Sequence, residues 1–327
     1  MSVTTAASFQ QEHDRRVQEK LRRELGPLVC GFLAEPDVVE IALNPDGQLW
    51  VERLGQEMMP VGTMSASQAE SLMTTVAAAL RTTITRDNPI LECELPFDGS
   101  RFEALIPPVA AAPTFAIRRK ASHVFTLDEY VERGIMTERQ RAVLVGTVTA
   151  RRNILVVGGT GTGKTTLTNA LIKEIERATP HHRLVIIEDT VELQCSAPNA
   201  VPLRATEHVS MLRLLKATMR LRPDRILVGE TRGPEALALL KAWNTGHPGG
   251  VATVHSNTSD STGIAGLVRL ESLIAEATPT PMHTLIAEAV NVVINIEKTS
   301  SSPGRRIAAV LAVEGFDGSN YVLSQLG

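Results

Sequence analysis

The sequence predicts a two-part α/β protein. A doubly wound parallel-sheet domain carries a phosphate-binding loop, and a smaller α+β domain precedes it. Three observations carry this reading. The octet Gly158-Gly159-Thr160-Gly161-Thr162-Gly163-Lys164-Thr165 fits the pattern G-x-x-x-x-G-K-[ST] in full. Short, continuous apolar runs follow at 184–187, 226–228 and 251–254, as expected of parallel strands covered on both faces. Before residue 120 the pattern changes to strand pairs around tight turns, Asn44-Pro45-Asp46-Gly47 and Pro96-Phe97-Asp98-Gly99, which read as antiparallel hairpins. A chain of 327 residues accommodates two such domains. The expected boundaries are 1–120 for the α+β domain, 121–150 for a linker and helix, and 151–327 for the sheet domain with antiparallel strands at its end.

Each element has its own signal. Residues 8–25 read as a helix with a narrow apolar stripe of Val17, Leu21 and Leu25. Residues 38–43 and 48–52 make the first hairpin. Residues 66–82 read as a helix capped by Ser65. Residues 91–95 and 101–106 make the second hairpin, and 114–119 a further strand. A linker and short helix fill 119–136, and an amphipathic helix spans 137–151. The run Asn153-Ile154-Leu155-Val156-Val157 is a buried strand, and the helix after the loop begins near Thr166. A helix at 211–221 carries Leu212, Leu215 and Met219 on one side. Apolar runs at 292–296, 307–313 and 321–323, separated by turns, read as a small antiparallel meander.

Bulk properties exclude several functions. Net charge is −3 and neither half is strongly basic, so no groove for sequence-independent nucleic-acid binding is expected. Aromatic residues are only 3%, so the cores must be built from Leu, Val, Ile and Ala. Cys30, Cys93 and Cys195 have neither disulfide-framework nor metal-site spacing, which fits a reducing cytosol. No apolar run approaches the ~20 residues of a membrane span, and residues 1–20 are polar. A soluble, cytoplasmic protein is expected, with any membrane role coming through partners.

The chemistry concentrates around the loop. Backbone N–H groups of Gly159, Thr160, Gly161, Thr162, Gly163, Lys164, Thr165 and Thr166 can cradle phosphate oxygens at a helix N-terminus. Lys164 should reach the β- and γ-phosphates, and the Thr165 hydroxyl should bind Mg²⁺. Ligands of parallel α/β sheets bind at the carboxyl ends of strands. There stand Glu188-Asp189, with Glu192 three further on, then Gly229-Glu230, then His255-Ser256. A nucleoside triphosphatase needs one carboxylate to orient water and others near the metal. The bland alternatives are solvated loop acids and a structural histidine. Arg213 and Lys216 read as a solvated basic face. Arg220, just before Arg222-Pro223-Asp224, suits a phosphate or subunit contact. His247, in Gly246-His247-Pro248-Gly249, is either catalytic or a shaper of that turn.

The loop and the segments 187–193, 221–232 and 245–256 occur in an order that resembles the secretion ATPase superfamily, with its Walker A, Asp, Walker B and His boxes. The conjugation branch of type IV secretion is the nearest. The resemblance covers roughly residues 25 to 320. It implies a RecA-like P-loop NTPase domain, ATP and Mg²⁺ as ligands, and a homo-oligomeric ring, usually a hexamer, with ATP between the two domains and at subunit boundaries. It also implies inner-membrane partners of a secretion or conjugation apparatus, and a cytoplasmic protein peripheral to that membrane. Gly229 stands where many P-loop proteins carry Asp, so carboxylate duty falls on Glu230 and the Asp-box acids of 187–193. Thr165, Glu188 and Glu230 would hold Mg²⁺ through waters. The resemblance places Arg101 and Arg118 on the nucleotide phosphates, alongside Lys164, His255 and Arg220 as catalytic candidates. The chain lacks the C-x-x-C module of type II secretion ATPases and the Ala-Ile-Arg-Asn-Leu-Ile-Arg type element of pilus retraction motors. The competing expectations are a pilus or type II secretion motor, a DNA-translocating motor, and a nucleotide-binding scaffold without turnover.

Overall fold

The computed structural model describes residues 3–53, 56–120, 123–206, 208–256 and 263–327. The chain divides into two compact units, Met1–Ser122 and His123–Gly327.

The first unit holds α1 (Val3–Ala34), β1 (Val38–Leu43), β2 (Gln48–Arg53), β3 (Met59–Thr63), α2 (Ala66–Ala79), β4 (Ile90–Glu94), β5 (Arg101–Leu105) and β6 (Thr114–Arg118). Helix α1 runs further than its apolar stripe predicts, and it breaks at Gly26, where φ is 75°, ahead of Pro27. Gln68 Nε2 donates to the Glu24 carbonyl at 3.0 Å, satisfying an acceptor beside the break. Ser65 caps α2 by accepting from the Gln68 N–H, as expected. The strands form one antiparallel sheet in the order β3-β2-β1-β6-β5-β4. Alternation with period two divides its faces. Ile41, Leu43, Phe102, Ala104, Phe115 and Ile117 pack with Leu21, Leu25, Leu72 and Met73 of the helices.

The second unit holds α3 (Leu127–Glu132), α4 (Glu138–Thr149), β7 (Ile154–Gly158), α5 (Lys164–Ala178), β8 (Leu184–Glu188), β9 (Ala200–Arg204), α6 (Met211–Thr218), β10 (Arg225–Val228), α7 (Glu235–Asn244), β11 (Val251–His255), α8 (Ile264–Ala275), α9 (His283–Ala289), β12 (Val292–Lys298), β13 (Arg305–Phe316) and β14 (Tyr321–Gln325). The sheet order is β14-β13-β12-β7-β11-β10-β8-β9. Strands β12, β7, β11, β10, β8 and β9 pair in parallel, while β13 and β14 are antiparallel. All of β7, β8 and β10 is buried, which explains their unbroken apolar runs. Val157, Ile187, Val228 and Val254 face α6–α9, and Val156, Ile186 and Leu227 face α3–α5. The final three strands form the expected antiparallel meander, and β12 also joins it to the central sheet by parallel pairing with β7.

The amino edge of this sheet is tied by polar side chains. Arg225 is fully buried and donates to the carbonyls of Gly249 and Val148 at 3.0 Å each. Burial pushes its guanidinium down to about 10. Asn153 Oδ1 accepts from the N–H groups of Gly249 and Gly250, and its Nδ2 donates to Ala289 O.

Candidate nucleotide-binding site

Strand β7 ends at Gly158, and the chain turns at once into α5. A Cβ on Gly158 would lie 2.6 Å from both the Ile296 carbonyl and Thr162 Oγ1, so only glycine fits beneath the loop. Gly163 caps α5 at φ 100° and offers no side-chain acceptor to the first turn. The first helical N–H groups, with the positive end of the helix dipole, therefore remain open to an anion. Lys164 Nζ donates to the carbonyls of Gly158 and Gly159 at 2.9 Å each and lies 3.1 Å from His255 Nδ1.

That last contact fixes the histidine tautomer. An ammonium only donates, so Nδ1 accepts and the ring proton sits on Nε2. Nε2 faces Glu230 Oε1 at 3.2 Å. Burial first, and the Lys164 charge second, hold His255 below the ordinary imidazole value. A neutral ring is the form this geometry wants. Arg232 grips Glu230 through Nε and Nη2, both at 3.0 Å, and its Nη1 reaches Asp189 Oδ2 at 2.6 Å. The hydrogen bond to Glu230 pushes the Arg232 guanidinium up. Lys164, His255, Glu230, Arg232 and Asp189 thus form one line of contacts across the carboxyl ends of β11, β10 and β8. An open cleft of ≈ 700 Å³ lies over it, with Gly159, Thr160 and Glu230 on one side and Val268 and Arg269 of α8 on another.

Glu188 is tied to the turn that follows β8. It is 4% exposed, and its Oε1 accepts from the backbone N–H groups of Glu192 and Leu193 at 2.9 and 2.8 Å. A Cβ on Gly229 would stand 3.0 Å from Glu188 Cγ, so the glycine at the Walker B position makes room for this carboxylate. Glu188 holds the turn that presents Glu192, whose Oε2 accepts from the Thr165 hydroxyl at 3.1 Å. Asn169 of α5 fixes the same segment, donating to Glu192 O and accepting from Gln194 N. Glu192 is one of the acids of the segment 187–193, three residues after Asp189. Thr165 and Glu192 supply the hard oxygen donors that Mg²⁺ prefers. Glu230, by contrast, is engaged by a guanidinium and an imidazole.

Arg101 and Arg118 belong to the first unit, where they are direct cross-strand partners. Glu94 stands opposite Arg101 and Glu40 opposite Arg118, so across β4, β5, β6 and β1 the row reads Glu, Arg, Arg, Glu, on the sheet face opposite α1 and α2. Arg220 precedes β10 and His247 precedes β11, so both sit at the amino edge, opposite the loop. His247 Nδ1 lies 3.3 Å from Ala242 O and helps shape its turn.

A phosphate loop on β7, a second strand between it and β10, and acids at the strand ends define a RecA-like P-loop nucleoside triphosphatase. The chain belongs to the Type II/IV secretion system protein family, whose model matches residues 32–305, and it is one of that family's ATPases. It is 53% identical over 306 residues to a probable conjugal transfer protein TrbB of Sinorhizobium fredii, covering 94% of this chain and 92% of that one. Conjugal transfer protein TrbB of Rhizobium radiobacter is 50% identical, covering 94% and 93%. The fold also matches the crystal structure of the pilus retraction motor PilT with bound ADP, at a TM-score of 0.63 and 19% identity, over 91% of this chain and 82% of that one.

Proposed function

We propose that this chain hydrolyses ATP in the cytoplasm to drive a conjugative type IV secretion apparatus, working as a ring, most simply a hexamer, against inner-membrane partners. Kinship with two conjugal transfer proteins at half identity over nearly the whole chain supports the assignment to conjugation. The observation that carries the chemistry is the line Lys164–His255–Glu230, with contacts of 3.1 and 3.2 Å. It joins the group that binds the transferred phosphate to the carboxylate that orients water.

In this reading the loop amides and Lys164 bind the triphosphate. Glu230 orients the attacking water, and His255 reports the position of Lys164 to it. Bound at Thr165 and Glu192, Mg²⁺ would neutralise charge on the β- and γ-phosphates. Glu188 keeps Glu192 in place. Arg232 holds Glu230 and Asp189 to one another, so its grip must loosen as Glu230 takes hold of water. Arg101 and Arg118 serve as phosphate-contacting cations, the role implied by the family, and Arg220 serves in subunit contact.

The test is phosphate release by the wild-type protein and by Lys164→Ala, alongside conjugative transfer in cells carrying each. Lys164→Ala should stay folded and lose both. A folded Lys164→Ala protein that hydrolyses ATP at the parent rate refutes the catalytic reading. An active ATPase whose loss leaves transfer intact refutes the transport reading.

A further inference from the structure

The β12–β13 hairpin presents two cations to the phosphate loop from the side away from the acids. Lys298 and Arg305 are register partners at the open end of the hairpin. A Cβ on Gly163 would lie 2.6 Å from Arg305 Nη1, and one on Gly161 would lie 3.0 Å from Lys298 Nζ. Both heads therefore rest against left-handed glycines of the loop, at φ 100° and 69°. Their chain neighbours behave otherwise. Glu297 and Arg306, on the opposite face of the same two strands, pair with each other at 2.7 Å. The side chains of Lys298 and Arg305 make no hydrogen bond or ion pair among the described residues.

This arrangement is costly without an anion. The first turn of α5 contains no acid, its dipole presents positive charge, and Lys164 adds a third cation. Like charges brought together repel unless something negative lies between them. The sheet order says which part of a ligand that would be. Strand β12 flanks β7 on one side, while β11, β10 and β8, with His255, Glu230 and Glu188 at their ends, lie on the other. The transferred phosphate belongs with the acids, and the hairpin faces what is not transferred.

We propose that Lys298 and Arg305 form a second cationic wall of the phosphate loop and bind the non-transferred α- and β-phosphates of a nucleoside di- or triphosphate. The inference rests on the nucleotide-binding reading above. Contacts to non-transferred groups are equal in ground and transition states, so they appear in affinity and KM and leave kcat in place.

The experiment measures fluorescent ADP and non-hydrolysable ATP binding, with kcat and KM, for the full-length wild type, Lys298→Ala, Arg305→Ala and Arg305→Lys. Arg306→Ala is the control on the same hairpin. Each alanine variant should weaken ADP and ATP alike, by roughly 10-fold, about the worth of one charged contact. KM should rise in step with kcat held within about 2-fold, and Arg305→Lys should recover part of the affinity. Melting without nucleotide should not fall, since no native pairing is lost. Wild-type ADP affinity in both alanine variants overturns the inference while leaving the ATPase reading intact. A fall in kcat at unchanged KM overturns it too, because the cations would then serve the transferred phosphate. A wild-type protein that binds neither nucleotide refutes the underlying reading itself.

Discussion

Glu188→Gln and Glu230→Gln should separate a carboxylate that builds the site from one that works in it. Glu188 is 4% exposed and accepts two backbone N–H bonds, from Glu192 and Leu193. Hydrogen bonds to a charged acceptor contribute about 1.5–3 kcal/mol each, against about 1 for neutral pairs. Glutamine keeps an acceptor oxygen and loses the charge, so Glu188→Gln should cost ~1–2 kcal/mol. In a unit of this size each kcal/mol moves the melting midpoint by about 2–4 °C, so the expected drop is roughly 2–8 °C. Glu230, whose main partner Arg232 is 56% exposed, loses a solvent-screened pair on conversion to Gln. That change should cost under about 1 kcal/mol. Turnover should show the reverse order in purity of effect. Glu230→Gln should cut kcat by ~10²-fold or more with ATP binding retained. Glu188→Gln should lower turnover together with Mg²⁺ affinity, because Glu192 loses its support. The assays are differential scanning calorimetry, phosphate release, and turnover titrated with Mg²⁺. A Glu188→Gln protein that melts like wild type yet binds Mg²⁺ normally and fails to turn over would refute this division and return Glu188 to the water.

Other outcomes follow from the same geometry. Arg101→Ala and Arg118→Ala should each slow turnover strongly, up to ~10³-fold if they stabilise phosphoryl transfer, while wild-type turnover in both assigns them to the Glu94–Arg101–Arg118–Glu40 row alone. Each should also shift melting by little, because truncating either relieves one like-charge neighbour. The His255 ring is held below its ordinary value, so the unfolded chain takes up a proton before the folded one. Stability should therefore fall as pH drops through about 6.5 and level off below the folded value. The difference in melting between wild type and His255→Asn, followed from pH 8 to 5.5, should show this loss, and a pH-independent difference would contradict the neutral tautomer. Gly163→Ala should abolish nucleotide binding, since the new Cβ meets both a left-handed backbone and the Arg305 guanidinium.

The parts legible in the sequence were those encoded locally. The loop 158–165 is contiguous, so its residues announce the strand–turn–helix around it. The buried runs of β8, β10 and β11 follow from burial on both faces. Two edge strands were not legible. β3 contains Pro60 and β9 contains Pro202, both lie at sheet edges, and neither shows alternating burial. Nearness in sequence also misleads about which end of a strand a residue occupies. Arg220 and His247 stand before their strands and Glu230 and His255 after, so parallel pairing sends the first two to the far edge. The hydrogen bonds from the Glu192 and Leu193 N–H groups to Glu188 were not legible either, because nothing in the spacing says that the turn folds back on the first acid. Lys298 and Arg305 carry no motif; only hairpin register and the β12–β7 pairing bring them to the loop.

The order of strands has a consequence for how the protein is made. Gly158 lies against Ile296 O, Asn153 is bonded to Gly249, Gly250 and Ala289, and Lys164 leans on His255. Both neighbours of the loop strand, β11 and β12, come from the last third of the chain. A ribosome that has released residues 154–178 has therefore produced the phosphate loop and its helix without the walls that shape them. Nascent chains arrested before β12 should fail to retain ATP, and chains extended past it should gain that ability over a short span of further synthesis. Competence in nucleotide binding is thus a late event in translation, although its signature motif emerges halfway through.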